Sequence, residues 1–366
     1  MAEKPKKEIK PLEKRFHGLE NFKAKHKLNQ GIKDKPLTWI PLSPAFQKVL
    51  GITGMPKGYV SILRGHSNTG KSTALAEAVI SAQRMNILPI IIDTENAWSW
   101  ERARKMGMDF EEVVDENTGE VTDYCGDFIY INNAHLIEDY GKKRDKNADE
   151  AVVEDVAAFI NECLDEQNKG EKGSMNYELL FCWDSIGTLS CQKAVESKSG
   201  NNQWVAGAIE VAFKSIINAR IPGSRKENKI HTNTLVVVNK VWVDNMGMGV
   251  LKNKGGSAFG FACRLQILLG GTLGASTKRL VATANNKKYT YATLTKITVE
   301  KNHITDTTFS GELVSTPYGF ILPSEIEDYK KEHKDEIAAM LELSDKNIVI
   351  NYTEEEESDD DIAFGD

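Results

Sequence analysis

Gly65-His66-Ser67-Asn68-Thr69-Gly70-Lys71-Ser72-Thr73 has the form G-x-x-x-x-G-K-S with a threonine after it. The glycines let the backbone curl until successive N–H groups converge on one point, as a phosphate cradle requires. Lys71 would neutralise outer phosphates, and the Ser72 hydroxyl suits Mg²⁺. The candidate cofactor-binding residues of the stretch are Gly65, Ser67, Asn68, Thr69, Gly70, Lys71, Ser72 and Thr73. Its flanks agree with this reading. Tyr59 to Leu63 reads as a strand, and Ser72 to Met85 carries Leu75, Ala78, Val79 and Ala82 at helical spacing. A strand, a glycine turn and a helix N-terminus together make an anion site from backbone dipoles. The plainer alternative is a chance match on a surface loop, which leaves both flanks unexplained.

Outward from this stretch, Leu88 to Asp93 is a mostly apolar run of the kind found in parallel sheets with both faces covered. It ends in Asp93-Thr94-Glu95. A carboxylate at that edge, beside a phosphate loop, can orient water for attack on a γ-phosphate, although Glu95 could also simply begin a helix. Leu179 to Asp184 is a second apolar run ending in an acid, a Walker B pattern. Asp184 is expected to hold the Mg²⁺ water shell opposite Ser72. Many strands end in Asp, and the spacing after the phosphate loop is what gives the match weight.

Further strands are expected at Asp127–Ile131, Thr234–Lys240, Arg264–Leu269 and, with alternating Thr, Val and Tyr, Lys278–Glu300. Helices are expected near 150–167, 204–220 and 325–342, a short helix and a glycine-punctuated turn within 37–58, a turn-like stretch at 115–123 and a charged loop at 138–150. Alternating strands and helices predict an α/β fold around a mostly parallel central sheet. Two polar loops leave strand ends on the phosphate side, the edge where open α/β folds bind ligands. One holds Lys193, Lys198, Asn201, Asn202 and Gln203; the other holds Trp242, Met246, Met248, Lys252, Lys254, Gly255 and Gly256. Lysines and amides suit phosphates, and Trp or Met can wedge between bases, so both are candidate DNA contacts. Ordinary mobile loops share this composition.

The 366 residues allow one large domain with appendages. No apolar run approaches a membrane span of about 18 residues, and the lysine-rich N-terminus lacks the apolar stretch of a secretion signal. Five cysteines without a C-x-x-C pair argue against structural zinc and for a reduced, cytoplasmic setting, the host cytoplasm if the source is viral. Residues 354 to 366 carry eight acidic groups and no basic ones; without them a formal charge of −7 becomes a chain near +1. Residues 1 to 35 carry eleven Lys/Arg against five Asp/Glu. The expected organisation is a basic N-terminal arm over 1–36, an ATPase core over 37–322, a short helical segment over 323–350 and an acidic disordered tail over 351–366.

The ordered motifs resemble the RecA family of strand-exchange recombinases, in a divergent, bacteriophage-like form, over about residues 42 to 322. The resemblance is carried by Leu42-Ser43 through Gly58, the Walker A at Gly65–Thr73, and Asp93-Thr94-Glu95-Asn96-Ala97 with Arg102 to Asp109. Asp184-Ser185-Ile186, Gly255-Gly256-Ser257-Ala258 and Val299-Glu300-Lys301-Asn302-His303 add to it. It implies that Glu95 is the base, that ATP and Mg²⁺ are the cofactors, and that Lys301 reaches the ATP of an adjacent subunit. It also implies a homo-oligomeric helical filament on single-stranded DNA, with double-stranded DNA engaged during pairing. Residues 194–203 would be the first DNA loop and 242–256 the second.

Four departures bear on the roles. Lys240 stands where a glutamine is usual after the sensor strand and would still meet the γ-phosphate. Arg102 replaces an aromatic near the adenine, where its planar guanidinium can stack. His303 replaces a second interface lysine, and Trp242 an arginine that touches DNA phosphate. The tail resembles the acidic tip of single-strand-binding proteins, except that Gly365 and Asp366 follow Phe364. It could mimic DNA charge, dock a single-strand-binding or mediator protein, or simply be solvated. Two other readings share the motifs: a hexameric helicase motor, disfavoured by the roughly 40 residues before the core, and a DNA-coating scaffold that binds ATP without turnover.

Overall fold

The structure, a computed structural model, describes residues 19–27, 32–198, 202–244, 250–253, 257–271, 277–343 and 349–356. Its sixteen described strands are β1 (Trp39–Pro41), β2 (Gly54–Pro56), β3 (Val60–Gly65), β4 (Leu88–Asp93), β5 (Glu111–Val114), β6 (Val121–Cys125), β7 (Ile129–Asn132) and β8 (Leu179–Asp184), followed by β9 (Thr234–Asp244), β10 (Val250–Asn253), β11 (Leu265–Leu269), β12 (Thr277–Ala284), β13 (Lys287–Asn302), β14 (Ser310–Thr316), β15 (Gly319–Ile321) and β16 (Asn351–Glu356). The main sheet runs β15-β14-β13-β11-β3-β9-β8-β4-β7. From β11 to β7 every pairing is parallel; β13, β14 and β15 extend the sheet in antiparallel fashion.

Continuous apolar strands need cover on both sides, because successive side chains face opposite ways. Ile62, Ile90, Phe181, Trp183 and Val237 point into one core, beneath the helices Val153–Asn168 and Asn202–Ser215. Their neighbours Leu63, Ile91, Cys182, Val236 and Val238 point into the other, beneath Pro44–Leu50 and Lys71–Arg84. Ser43 caps the first of these helices through its hydroxyl. The alanines of Lys71–Arg84 (Ala74, Ala78, Ala82, all fully buried) let that helix lie close to the sheet.

Several expectations are corrected. The turn-like stretch 115–123 belongs to a hairpin of β5 and β6. The expected charged loop begins as a π-helical turn, Ile137–Gly141, continued by Lys142–Arg144. The flexible loop expected before 204 contains a helix, Gln192–Ser197, and the next helix already starts at Asn202. The described part of the second loop is paired strand: β9 runs on to Asp244 and pairs with β10, with Trp242 opposite Lys252. Strand pairing absorbs backbone donors that a loop would leave to water. Residues 351–356, expected to be disordered, form β16 against β12, because Tyr352 finds a buried aromatic face and Glu354 and Glu355 find lysines. The single helix expected over 325–342 is two, Ile326–Glu332 and Lys334–Met340, joined at His333. No described helix is long and apolar enough to cross a membrane.

Candidate nucleotide-binding site

The parallel register places the candidate residues in a row at one sheet edge. Gly65 ends β3 opposite Lys240 of β9, and Asp93 ends β4 opposite Asp184 of β8. The loop after β3 then turns into the helix Lys71–Arg84, whose N-terminal N–H groups and dipole face the same edge. Two glycines are required there. A Cβ on Gly65 would lie 2.0 Å from the Leu269 carbonyl oxygen of β11, and Gly70 has φ of 92°. Lys71 is buried and donates to the His66 carbonyl of its own loop. Ser72 Oγ donates to Asp184 Oδ2 at 2.9 Å. Burial, and then the neighbouring Glu95 charge, push the Asp184 carboxyl up to about 6, against the Ser72 hydroxyl and Lys71.

Glu95 is held from several sides. Ser185 Oγ donates to its Oε1, and Lys240 Nζ lies 2.9 Å from its Oε2. The backbone on either side of it is pinned as well. Thr94 N donates to the Asp184 carbonyl at 2.8 Å, and Ser185 N donates to Thr94 Oγ1 at 3.1 Å. Asp93 accepts from the backbone N–H of Ala97 and Trp98 and from the Tyr130 hydroxyl. Burial and the Asp93 charge push the Tyr130 phenol up, so it stays a donor. The carboxylate-bearing turn is therefore fixed to the end of the neighbouring strand.

Arg102 lies beside the phosphate loop, as its position predicted, but its guanidinium is otherwise engaged than in stacking. Its Nη2 donates to Thr73 Oγ1 (2.5 Å), Ser315 Oγ (3.0 Å) and the Thr316 carbonyl (2.9 Å), which ties the phosphate-loop helix to β14. Glu77, on the same helix, accepts from the backbone N–H of Ser43 and Phe320, at 2.9 Å each. Burial holds its carboxyl above the ordinary range against those two bonds. A cleft of ≈ 620 Å³ runs from Asn68–Thr73 past Arg102 to Arg279, Tyr289 and Met340. This volume lies in the usual range for small-molecule sites.

The other candidates lie elsewhere. Lys301 sits at the opposite end of the sheet, where its Nζ donates to the Gly260 carbonyl at 2.8 Å and the Phe261 carbonyl at 3.3 Å. Lys193 Nζ lies 4.6 Å from the Trp204 ring centre, and Lys198 ends its helix in left-handed backbone. Gln203 lies in the first turn of Asn202–Ser215, with Asn202 opening it. Trp242 and Lys252 are placed by their backbone pairing. Asn201, Met246, Met248, Lys254, Gly255 and Gly256 lie outside the described residues, as does the acidic stretch after Glu356.

Glu77 and the Ser315–Thr316 pair carry no distinctive motif; Ser185 had a signal, its place directly after the Walker B acid in Asp184-Ser185-Ile186. Among the described residues no group of three or more His, Cys, Asp or Glu side chains could hold a metal. A divalent ion fits here through Ser72, Asp184 and the oxygens of a bound phosphate, the usual sparse protein ligation of Mg²⁺.

A family model for the RecA N-terminal domain matches residues 10–134. The RecA protein of Mycobacteroides abscessus is 31% identical over 129 residues, 34% of this chain and 34% of that protein. Longer matches reach the RecA proteins of Lactobacillus delbrueckii subsp. bulgaricus (25% over 265 residues, 67% of this chain and 72% of the relative) and Mesoplasma florum (24% over 224 residues, 57% and 61%). The match thus spans about a third of the length of the first of these relatives. With the phosphate loop, the Walker B strand and the Glu95 turn assembled at one sheet edge, these matches support a RecA-family protein of low identity to its relatives.

Proposed function

We propose that the chain is a DNA-dependent ATPase acting as a DNA recombinase, which forms filaments on single-stranded DNA and promotes pairing and strand exchange with duplex DNA. The role would lie in recombination, repair or recombination-dependent replication, in the cytoplasm of a cell or of a virus's host. The observation that carries the hydrolytic part is the grouping at one sheet edge of Lys71 and Ser72, which open the helix after β3, with Asp184 at the end of β8 and Glu95 just past β4. Mg²⁺, when bound, would neutralise charge on the β- and γ-phosphates. Lys71 and the N-terminal N–H groups of its helix bind the phosphates, and Ser72 and Asp184 orient toward the ion. Glu95 takes the proton of the attacking water at its carboxylate, with Ser185 and Lys240 setting its direction.

Lys301, far from the loop within one chain, is assigned to the phosphates of the next subunit, which makes the site shared along a filament. The DNA-facing surface is assigned to the helices around Lys193–Gln203 and to the β9–β10 hairpin. The low identity to the RecA relatives supports the divergent part of the assignment, and those relatives weigh against the ring helicase motor. The acidic stretch after Glu356 is assigned to docking a single-strand-binding or mediator protein.

The test is negative-stain imaging with single-stranded DNA and a non-hydrolysable ATP analogue, paired with phosphate release with and without that DNA. Helical filaments and DNA-stimulated release are expected, with binding that weakens as salt rises. Closed rings that unwind duplex DNA would transfer the assignment to a helicase.

A further inference from the structure

The far end of the cleft is built by residues outside the parallel sheet. Arg279 of β12 and Tyr289 of β13 form one wall, and Met340, at the end of Lys334–Met340, closes another. β12 and β13 project as a hairpin, and β16 adds a third strand along β12, from Lys278 opposite Glu356 to Thr283 opposite Asn351. This layer has its own small core, in which Leu280, Tyr291, Tyr329, Ile337 and Leu341 are buried together. Tyr352 of β16 meets Tyr291 edge-on (5.6 Å between ring centres), and Lys330 Nζ lies 4.8 Å from the centre of the Tyr352 ring.

The same segment also grips the opposite wall. Glu336 accepts from Lys105 Nζ at 2.6 Å and from the Tyr318 hydroxyl at 2.7 Å, and Lys105 itself lines the cleft next to Arg102. Residues 326–343 and 349–356 therefore touch both sides of the cleft mouth. Their outer attachments are lysine–glutamate pairs, Lys278 with Glu354 and Lys288 with Glu355, whose side chains are about half exposed. Pairs of that kind hold weakly.

We propose that residues 326–343 and 349–356 are the closing brace of the nucleotide cleft, so that their docking and nucleotide binding are coupled. This rests on the reading of the cleft as an ATP site. A nucleotide whose phosphates lie on the phosphate loop extends its ribose and base toward Tyr289, Arg279 and Met340. Those side chains hold their places only while the brace is docked. Linkage makes the effect reciprocal: whatever undocks the brace weakens nucleotide binding, and bound nucleotide stabilises the brace. No residue of Asn351–Glu356 lines the cleft among the described residues, so β16 responds to nucleotide through its neighbours, the β12–β13 hairpin and the helix that carries Lys330. The brace consumes the first three glutamates of the acidic stretch, which leaves the residues after Glu356 as the part available to other partners.

The experiment titrates a fluorescent ADP analogue, with Mg²⁺, into the full chain, into a chain ending at Leu343, and into Tyr352→Ala. The truncated chain is expected to bind about tenfold more weakly and the point variant about threefold more weakly. In the full chain, saturating ADP should slow amide hydrogen exchange in Asn351–Glu356, an effect that a brace serving stability alone would not show. Unchanged exchange in that strand overturns the proposal even if the truncated chain fails to fold, and so does equal affinity of a folded truncated chain. A full chain that binds neither ATP nor ADP overturns the nucleotide reading itself, and this proposal with it.

Discussion

The two ends of the cleft are built by different means. At the phosphate end, four parallel strands place Gly65 opposite Lys240 and Asp93 opposite Asp184 at one sheet edge, and the groups behind them are buried. At the far end, a hairpin, two short helices and an edge strand are held by a small aromatic core and by exposed ion pairs. The phosphate end is rigid because a one-residue slip of any strand would turn its whole buried face outward. At the far end the two helices and the edge strand are tied by a small core and by exposed ion pairs, which makes them the cheaper part to open. Chemistry that needs fixed distances sits on the first, and the part that admits and releases a ligand sits on the second.

Each of the following measurements presses on that contrast. Glu95→Gln should lower ATP turnover by about 10²-fold or more, with nucleotide affinity retained, because only the proton acceptor is lost. Steady-state phosphate release alongside ADP titration checks it, and unchanged turnover would remove Glu95 from the chemistry. Glu77→Gln should cost about 1–3 kcal/mol in urea unfolding, since one of two backbone N–H groups loses its acceptor in the buried phosphate end. Its pH dependence has a definite sign. The folded carboxyl lies above its ordinary value of 4.5, so its share of stability is present below that value and is lost as pH rises through the raised one. The glutamine variant should lack that loss.

Lys240→Gln, which breaks the ion pair to Glu95 and keeps the Ser185 bond, should lower ATP turnover by a factor of about 3–10, because the base loses one of the two groups that set its direction. A rise would mean that the ion pair restrains Glu95 rather than aims it. Glu354→Lys, at the far end, should change global stability by less than about 1 kcal/mol, with the difference fading in high salt. A cost as large as that of Glu77→Gln would erase the distinction between the two ends.

Much of the phosphate end was legible in the sequence, and the physical reason is locality. A glycine pattern, a strand before it and a helix after it lie within about 30 residues, close to the span of one supersecondary unit. The apolar runs ending in Asp93 and Asp184 announce two further strands by their composition alone. Arg102 shows where that reading stops. Its position beside the site was inferred, but its bonds to Ser315 and the Thr316 carbonyl depend on residues more than 200 positions away. Glu77 resembles any polar residue on a helix until Ser43 and Phe320 are brought against it.

The sequence by itself determined the phosphate loop, the Walker B strand and the turn that carries Glu95, because each rests on short-range chemistry. Tertiary structure alone decided the rest. It turned the expected loop after Val241 into a hairpin and set Lys240 against Glu95. It also drew the start of an acidic stretch, which composition reads as solvated, into a strand beside Lys278 and Lys288. In each case the deciding energy comes from a partner distant in the chain, and neither charge nor periodicity names that partner in advance.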